Sequence, residues 1–580
     1  MFNNRARRIL VLSSATFATA VGDSPISFAV ASSVAFSPTT QSSCRKHGTK
    51  FRRRSYDERA GRRVASHPKS RSRFIIECRS TSSEADNIHH RDGHPHPMKI
   101  SNYLIYWRGE HKEEYSQSFR HLEFLSALSA TIADHYPNLT IDAPSILQQL
   151  MDGATFANAF SFDPYKKHKA KLPASVPLHQ VDMYNETLQY VSFGNIAKKS
   201  HGVLDEALIS QDLVAKASAR CSLIHSSYLV VAEGMEYSDL VDQALRSKAF
   251  DDMSESETVA HQNSKTWRIR RHEYSFVNDE NNPRFGKGTT RSVKKEKSAL
   301  QQLEPLLISF KGKVDLKNPD CNIYLLEGIC DNCVTDSGPK GITRIEDSKL
   351  LKILARKISS GAKVSVMAPK TRICITNTPL EPIAAFILCN LASIRENDKV
   401  LDPFAGSASV LLAASMISNS VRTVGIEIAS DKFLSREKVR QDFSTRGLSQ
   451  PLGLLIGNSM DSKIREEARK LIGGSEFDAI VCDPPYGIRE AMSGSDSGYG
   501  GSAALFDLID AIGRDRHLGT PLLKRGGKLV SFFPCLRGDN IEDLLPSNER
   551  LKRAGLLFEF KREQKLNSAL SRWVLSFKSS

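Results

Sequence analysis

Residues 477–490 read FDAIVCDPPYGIRE, and this stretch decides how the rest of the chain is interpreted. The apolar run that ends at Cys482 is typical of a strand buried on both faces of a parallel sheet. The run stops at Asp483, and the two prolines that follow cannot continue a hydrogen-bonded strand. In an open parallel sheet, ligands bind at the carboxyl ends of the strands. The sequence therefore places a carboxylate, a rigid turn and the ring of Tyr486 at a ligand-binding edge.

These residues suit the methylation of a planar amine, whose lone pair is delocalised. Asp483 and the carbonyl of Pro484 can accept its two hydrogens, Pro485 stiffens the turn, and Tyr486 can stack on the planar group. We predict that these four residues form a catalytic set for methyl transfer. The alternative is an ordinary strand end that Asp483 caps.

The chain around this stretch alternates between strand and helix patterns. Residues 399–409 read KVLDPFAGSAS, which predicts a strand, a tight turn and the start of a helix. Further strands are predicted at Val421–Ile426, Leu454–Ile456 and Lys528–Phe533. Strands that alternate with helices favour an α/β fold with a parallel, doubly wound sheet.

The same order of elements favours a nucleoside cofactor. The small residues around Gly406 let backbone approach a ligand at the end of the first strand, and Glu427 follows Asp402 at about the spacing of a ribose-binding acid. The turn lacks GxGxxG, so it offers no pyrophosphate cradle, and the chain has no GxxxxGK[ST] for a nucleoside triphosphate. S-adenosylmethionine carries no phosphate and needs neither motif.

Length and composition indicate a globular protein of two or three domains within 580 residues. Residues 1–80 hold 16 Lys/Arg and 4 Asp/Glu, so most of the net charge of +15 lies there and the remainder is almost neutral. The ten cysteines form no regular framework, which indicates reduced thiols. The single CxxC at Cys330–Cys333 has no second half, so we predict no metal site.

Residues 1–97 are rich in Arg and Ser and contain few acids, which predicts a disordered basic leader or an organellar transit peptide. A gene-model extension ahead of Met98 is the alternative. We therefore expect a cytoplasmic protein, or one of the plastid or mitochondrion if the leader is real. No stretch has the roughly 20 apolar residues that cross a bilayer, so no stable membrane association is expected.

Residues 98–340 show short, mixed strands and helices without a catalytic set, which predicts an α+β region. A basic stretch with interleaved aromatic residues begins at Lys265. Its functional interpretation is an RNA-phosphate surface, and the alternative is a solvated charged face. The candidate RNA-binding residues are Lys265, Arg268, Arg270 and Arg271.

Several motifs together resemble the eukaryotic tRNA (guanine-10-N2) methyltransferase catalytic subunit. The resemblance runs from about Met98 to Phe577. The segments that carry it are DPPYGIRE at 483–490, NTPLE at 377–381, GKVDLKNPD at 312–320, EQKL at 563–566 and SR at 571–572.

The resemblance implies a seven-stranded Rossmann-like methyltransferase domain at 345–580, preceded by a ferredoxin-like piece and a THUMP-type RNA-binding domain at 98–340. The implied reaction is methyl transfer from S-adenosylmethionine to N2 of guanosine 10 in tRNA, with a small zinc-binding activator subunit as partner. The cofactor contacts implied by matched position are Thr378, Asp402, Phe404, Gly406, Glu427 and Asn458.

The sequence departs from the family in the turn, where Ala408-Ser409 replaces a further glycine, and at Asn458, where an acid is usual. Three alternatives stay open. One is methylation of another nucleic acid, such as rRNA guanine. A second is a protein glutamine methyltransferase, which usually has Asn at position 483. The third is a catalytically silent tRNA-binding scaffold.

Overall fold

The computed structural model describes residues 103–108, 115, 117–139, 142–159, 188–194, 196, 204, 208–254, 265–277, 284–287, 293–329, 351–375, 379–429, 435–486 and 501–580. The leader, the CxxC at 330–333 and residues 487–490 of the opening stretch lie outside these residues. Among the residues described, no helix combines the length and apolar character needed to cross a bilayer.

Strands in the described residues form two sheets, one of eight strands and one of seven. The first sheet has the order β2-β3-β1-β4-β8-β7-β5-β6, and its β5–β7 pair is parallel. Its strands are β1 (Tyr103–Trp107), β2 (Thr155–Asn158), β3 (Leu188–Ser192), β4 (Ile224–Gly234), β5 (Trp267–Val277), β6 (Arg284–Lys287), β7 (Cys321–Ile329) and β8 (Leu351–Ser360).

Helices pack on the apolar side chains of the first sheet and so remove them from water. Leu240 and Ala244 of one helix join Trp267 and Ile323 of the sheet in one buried cluster. The helices of this part are α1 (Gln117–His135), α2 (Ala143–Gly153), α3 (Gln211–Arg220), α4 (Tyr237–Arg246), α5 (Asp251–Ser254), α6 (Val293–Gln302) and α7 (Glu304–Ser309).

The GKVDLKNPD segment is a structural loop that packs against the start of β5. The carbonyl of Gly312 accepts a hydrogen bond from Trp267 Nε1 at 3.0 Å. Asp320 accepts from both the amide and the hydroxyl of Thr266. A methyl group on Gly312 would lie 1.9 Å from the carbonyl oxygen of Lys265. The glycine is therefore required by the close approach of two backbones.

Replacing Gly312 by Ala is expected to lower the free energy of unfolding by about 1–3 kcal/mol, because backbone rather than a flexible side chain must move. Urea unfolding of the full chain measures this change in the free energy of unfolding. Lys313→Ala, on an exposed neighbour, is the control. Equal stability of the two variants would contradict the packing argument.

His121 of α1 is half-buried against strands β2 and β3 of the first sheet. Its ring stacks on Phe156 with centroids 3.7 Å apart, and Nε2 lies 2.8 Å from Gln189 Oε1. That oxygen only accepts hydrogen bonds, and it also accepts one from Trp107 Nε1 at 2.9 Å, so Nε2 of His121 carries the proton. Burial lowers the pKa of His121 to about 4, against the opposing hydrogen bond to Gln189 and with help from the charge of Arg120.

This lowered pKa predicts that acid destabilises the fold. The unfolded chain binds a proton near pH 6.5, whereas the folded chain does not, so the contribution is complete above pH 6.5 and is lost as the pH falls toward 4. The expected loss is about 3 kcal/mol. Denaturant unfolding at pH 7 and pH 4.5 should show a smaller difference for His121→Phe than for the unchanged chain. An identical difference would sink the prediction.

The second sheet has the order β11-β10-β9-β12-β13-β15-β14, in which only β15 runs antiparallel to both neighbours among the described strands. This is a Rossmann-like, seven-stranded α/β sheet, as predicted. Its strands are β9 (Lys399–Asp402), β10 (Arg422–Glu427), β11 (Gly453–Ile456), β12 (Phe477–Cys482), β13 (Leu523–Leu536), β14 (Leu556–Lys565) and β15 (Leu570–Ser579).

Helices flank the second sheet on both faces, because its central strands are apolar on both sides. Ile480 and Cys482 pack in one cluster, whereas Ala479 and Val481 pack in another. The helices are α8 (Pro382–Leu391), α9 (Ser409–Ile417), α10 (Arg436–Ser444), α11 (Ser462–Leu471), α12 (Gly501–His517), α13 (Ile541–Leu544) and α14 (Asn548–Ala554).

The domain boundary predicted at residue 345 is wrong for one strand. β8 pairs with β4 and β7 in the first sheet, so the first sheet extends to Ser360. Local pattern could not reveal this, since strand pairing joins residues that are distant in sequence. The names ferredoxin-like and THUMP stay predictions.

A buried polar network joins helices of the first sheet to helix α8 of the second sheet. Glu123 of α1 accepts hydrogen bonds from the amides of Ser222 and Leu223 at 2.7 and 3.0 Å and from Asn390 Nδ2 of α8 at 3.0 Å. The guanidinium of Arg220 donates to Asn390 Oδ1 at 2.8 Å. One hydrophobic cluster also spans α1, α8 and β13. The two halves therefore share a core.

Candidate active site

Several predicted site residues lie where the strand order of the second sheet reverses, between β9 and β12. The chain enters at β9, runs outward through β10 to β11, and returns to β12 on the other side of β9. Asp402 ends β9 and Asp483 directly follows β12. Neighbouring parallel strands that diverge in this way open a crevice at their carboxyl ends.

The turn after β9 is built around Asp402, which is almost fully buried. Its Oδ1 accepts a hydrogen bond from the Phe404 amide at 3.1 Å, which folds the chain sharply. Burial raises the pKa of Asp402 well above its usual range; the Phe404 hydrogen bond opposes this, and the charges of Glu427 and Asp483 add to it. These effects show that three carboxyl groups share one end of the sheet.

Gly406 and Glu427 hold each other in place. The Gly406 amide donates to Glu427 Oε2 at 2.7 Å, and the Ala429 amide donates to Oε1 at 2.9 Å. Gly406 has φ +50°, and a methyl group there would meet nothing closer than the Phe404 carbonyl oxygen at 4.0 Å. The carboxylate is thus fixed beside an open stretch of backbone.

Arg372 was not predicted, and it holds the rest of this turn. Its guanidinium donates to the carbonyl of Ser407, to the hydroxyl of Ser409 and to Asp442 Oδ2. Ala408 has φ +61°, a conformation that costs a residue with a side chain about 1–2 kcal/mol. Glycine would adopt it without strain, and here the contacts of Arg372 offset that strain.

The DPPY turn is closed by its own side chains. The hydroxyl of Tyr486 donates to Asp483 Oδ1 at 2.6 Å. Burial raises the pKa of Tyr486, and the charge of Asp483 raises it further, so the hydroxyl stays protonated. The tyrosine therefore orients the carboxylate, in addition to the stacking role predicted for its ring. Pro484 is buried and Pro485 is half-buried.

Arg572 of β15 is a second residue missing from the predicted set. Its Nη1 donates to the Tyr486 hydroxyl at 3.3 Å and lies 3.9 Å from Asp483 Oδ2. Its Nε donates to Gln564 Oε1 at 2.5 Å across the β14–β15 pair. The EQKL and SR motifs of the hairpin were the only sequence signal for this contact.

The two remaining predicted cofactor residues are Asn458 and Thr378. Asn458 is exposed at the end of β11, and its Oδ1 accepts from the Met460 amide at 2.9 Å. Thr378 lies outside the described residues. The crevice geometry therefore includes Asp402, Phe404, Gly406 and Glu427, with Asn458 at its outer end.

The four candidate RNA-binding residues differ in their surroundings. Arg271 forms an ion pair with Glu327, and Arg268 donates to Asn322 Oδ1 and the Leu316 carbonyl, so both have structural contacts. Lys265 is exposed and Arg270 is half-buried. Burial and the charges of Arg268 and Arg270 lower the pKa of Lys357, which places three cations near one another.

One comparison with known families concerns the chain around the crevice. Residues 369–495 match the family model UPF0020, an RMKL-like methyltransferase domain. That range contains the β9 turn, Glu427 and the DPPY turn.

Two curated relatives extend the similarity. The tRNA (guanine(10)-N(2))-methyltransferase TRMT11 of Gallus gallus is 27% identical over 329 residues, which cover 50% of this chain and 64% of that protein. The tRNA (guanine(10)-N2)-dimethyltransferase of Methanothermobacter thermautotrophicus is 31% identical over 118 residues, 20% of this chain and 31% of that protein. The predicted resemblance is confirmed, and the match spans less than two thirds of these relatives' length.

Among solved structures, the chain is similar to TrmN from Thermus thermophilus. The TM-score is 0.30 at 18% sequence identity, and the match covers 62% of this chain and 84% of that one.

Proposed function

We propose that this protein transfers a methyl group from S-adenosylmethionine to the N2 amine of guanosine 10 in tRNA. The observation that carries the proposal is the meeting of the Gly406–Glu427 pair with the Asp483–Tyr486 pair at one crevice. The first pair suits a nucleoside, and the second suits the planar amine that would be methylated. The names of the curated relatives support the choice of tRNA.

The crevice fits S-adenosylmethionine in three respects. Glu427 is held by two amides, and a carboxylate has further lone pairs for two ribose hydroxyls. Backbone at Gly406 is open to close approach. The buried turn at Asp402 offers no phosphate cradle, and this cofactor has no phosphate. When bound, the cofactor supplies a methyl group activated by a positive sulfur.

The chain's own residues would orient the acceptor. Asp483 and the Pro484 carbonyl would accept the hydrogens of the amine, which turns its lone pair toward the methyl carbon. The methyl carbon would end on the amine nitrogen, the sulfur would keep the electron pair of its former C–S bond, and the Asp483 carboxylate would take the amine proton that is released. Positioning of this kind can supply most of the acceleration, and no covalent intermediate is needed. A paired base must leave its stack to reach the turn.

Cys482 is excluded as a nucleophile by its position in this arrangement. It is fully buried within β12, and burial raises the pKa of its thiol well above its usual range. A neutral buried thiol is inert.

The test is mass spectrometry of tRNA nucleosides from cells that lack this protein. Loss of N2-methylguanosine at position 10, restored by the unchanged chain, is expected. Normal tRNA with reduced N2-methylguanosine in rRNA would select the rRNA alternative. Unchanged nucleosides, with no heat on titration of S-adenosylmethionine, would identify a silent scaffold.

The zinc-binding activator subunit is part of the proposal, and co-expression tests it, since a stable partner should co-purify in equal amounts. Localisation is proposed as cytoplasmic, with plastid or mitochondrion as the alternative. A fusion of residues 1–97 to a fluorescent protein should stay in the cytosol, and import into an organelle would select the alternative.

A further inference from the structure

A chain of polar contacts runs from the last strand to the DPPY turn. Arg572 Nη1 donates to the Tyr486 hydroxyl at 3.3 Å, and that hydroxyl donates to Asp483 Oδ1 at 2.6 Å. Successive hydrogen bonds in such a series polarise one another, which strengthens each of them. A hydrogen bond to a charged group is also stronger than one between neutral groups. The guanidinium is thus linked to the carboxylate both through the tyrosine and directly, across 3.9 Å.

Contacts with a ring and with an amide hold the Arg572 side chain in a buried position. Its guanidinium carbon lies 3.9 Å from the centroid of the Phe532 ring, its Nε donates to Gln564 Oε1, and its side chain is only 8% exposed. Gln564 is fully buried, and in the described part of the chain no atom accepts a hydrogen bond from its Nε2. A buried amide with an unmet donor costs free energy, so packing alone does not explain this glutamine.

The same arginine lies where the two halves of the chain meet. Tyr115, just ahead of α1, is close enough for its hydroxyl to influence the pKa of Arg572. Tyr115 also shares a buried hydrophobic cluster with Phe532, the ring under the guanidinium. Residues from the first half therefore help to complete the pocket of Arg572.

We propose that Arg572 is a positioning residue for methyl transfer, which fixes the Asp483 carboxylate and the Tyr486 hydroxyl in the orientation that the acceptor amine requires. This inference rests on the proposed function. Gln564 and Phe532 set the plane of the guanidinium, and the planar fork lets one cation serve both side chains. Lysine would keep the charge but not the fork or the stacking.

The charge of Arg572 has a second effect, on the ionisation of the turn. The titratable and charged groups around Asp483 are Tyr486 on its own turn, Cys482 on β12, Asp402 on β9 and Arg572 on β15. Arg572 is the only cation of this set within the described residues. An opposite charge at 4–6 Å favours an ionised carboxylate, and a neighbouring carboxyl group disfavours it. Without the arginine, the turn should hold its carboxylate ionised only at higher pH.

The experiment compares the full chain with Arg572→Met, Arg572→Lys and Gln564→Met, using S-adenosylmethionine and tRNA. Arg572→Met is expected to lower kcat on the order of 100-fold, with cofactor affinity within about twofold of the unchanged chain. Arg572→Lys and Gln564→Met should lose less. The rate of Arg572→Met should fall more steeply toward acid pH than that of the unchanged chain, because loss of the cation disfavours the ionised carboxylate.

Arg550→Met is the matched control. Arg550 also pairs with a carboxylate, Asp510, and lies over an aromatic ring, Phe506, but these contacts join α12 to α14 and involve none of the predicted site residues. It should keep the kcat and the pH profile of the unchanged chain.

The outcomes distinguish a positioning role of Arg572 from a structural role and from failure of the proposed function. If Arg572→Met and Arg572→Lys behave like the Arg550 control, the positioning role is wrong. If both lose cofactor binding and melt early together with activity, Arg572 is structural and the inference is again wrong. If the unchanged chain binds cofactor but methylates no RNA, the proposed function itself fails, and this inference with it.

Discussion

Replacing Asp483 by Ala is expected to lower methyl transfer to tRNA on the order of 1,000-fold while S-adenosylmethionine still binds. The Asp483 carboxylate would accept a hydrogen bond from the amine, and the Tyr486 hydroxyl orients this carboxylate by donating to it. Glu427 and Gly406, which would hold the cofactor, are fixed by their own hydrogen bond. The loss should therefore fall on kcat. Rates with tRNA and calorimetric titration of the cofactor measure the two effects separately.

A matched control lies at the other end of the same strand. Asp478 accepts from the Lys399 amide at 3.0 Å and pairs with Lys524, far from the crevice edge of β12. Asp478→Asn should keep the rate within a few-fold. A cofactor affinity that collapses in Asp483→Ala would reassign Asp483 from the acceptor to the cofactor.

Replacing Glu123 by Ala is expected to lower the free energy of unfolding by about 3–5 kcal/mol. The change leaves the buried amides of Ser222 and Leu223 without an acceptor. It also removes one of the two acceptors of Asn390 Nδ2, which keeps its hydrogen bond to the Arg220 carbonyl. Each unmet buried donor costs about 1–3 kcal/mol. Burial raises the pKa of Glu123, and the four hydrogen bonds oppose that shift, so the network is what makes the carboxyl tolerable in the core.

Denaturant unfolding followed by tryptophan fluorescence measures the loss. Trp107 lies in the first sheet and Trp573 in the second, so single-tryptophan chains would show whether the two halves unfold together. Glu437→Ala, on an exposed face of α10, should leave stability nearly unchanged. Equal stability of the two variants would mean that the halves are held by the apolar cluster alone.

The sequence by itself determined the second sheet and the polar ends of its strands. Buried parallel strands are nearly continuous apolar runs, so β9 and β12 stand out locally, and the turn residues Asp402, Gly406 and Asp483 directly follow them. The placing of Glu427 at the same edge followed from the same logic, because adjacent parallel strands end at one edge. Its hydrogen bond with the Gly406 amide was seen only in the structure.

Only the tertiary structure decided what surrounds those strand ends. Arg572 reaches the DPPY turn from 86 residues further along the chain, and Arg372 reaches the β9 turn from 35 residues before it. A buried arginine has no local signature, since its partners are set by strand pairing and helix packing at long range. The same reason explains why β8 was assigned to the wrong half and why Glu123, an ordinary helix residue in the sequence, proved to be the polar centre of the joint between the halves.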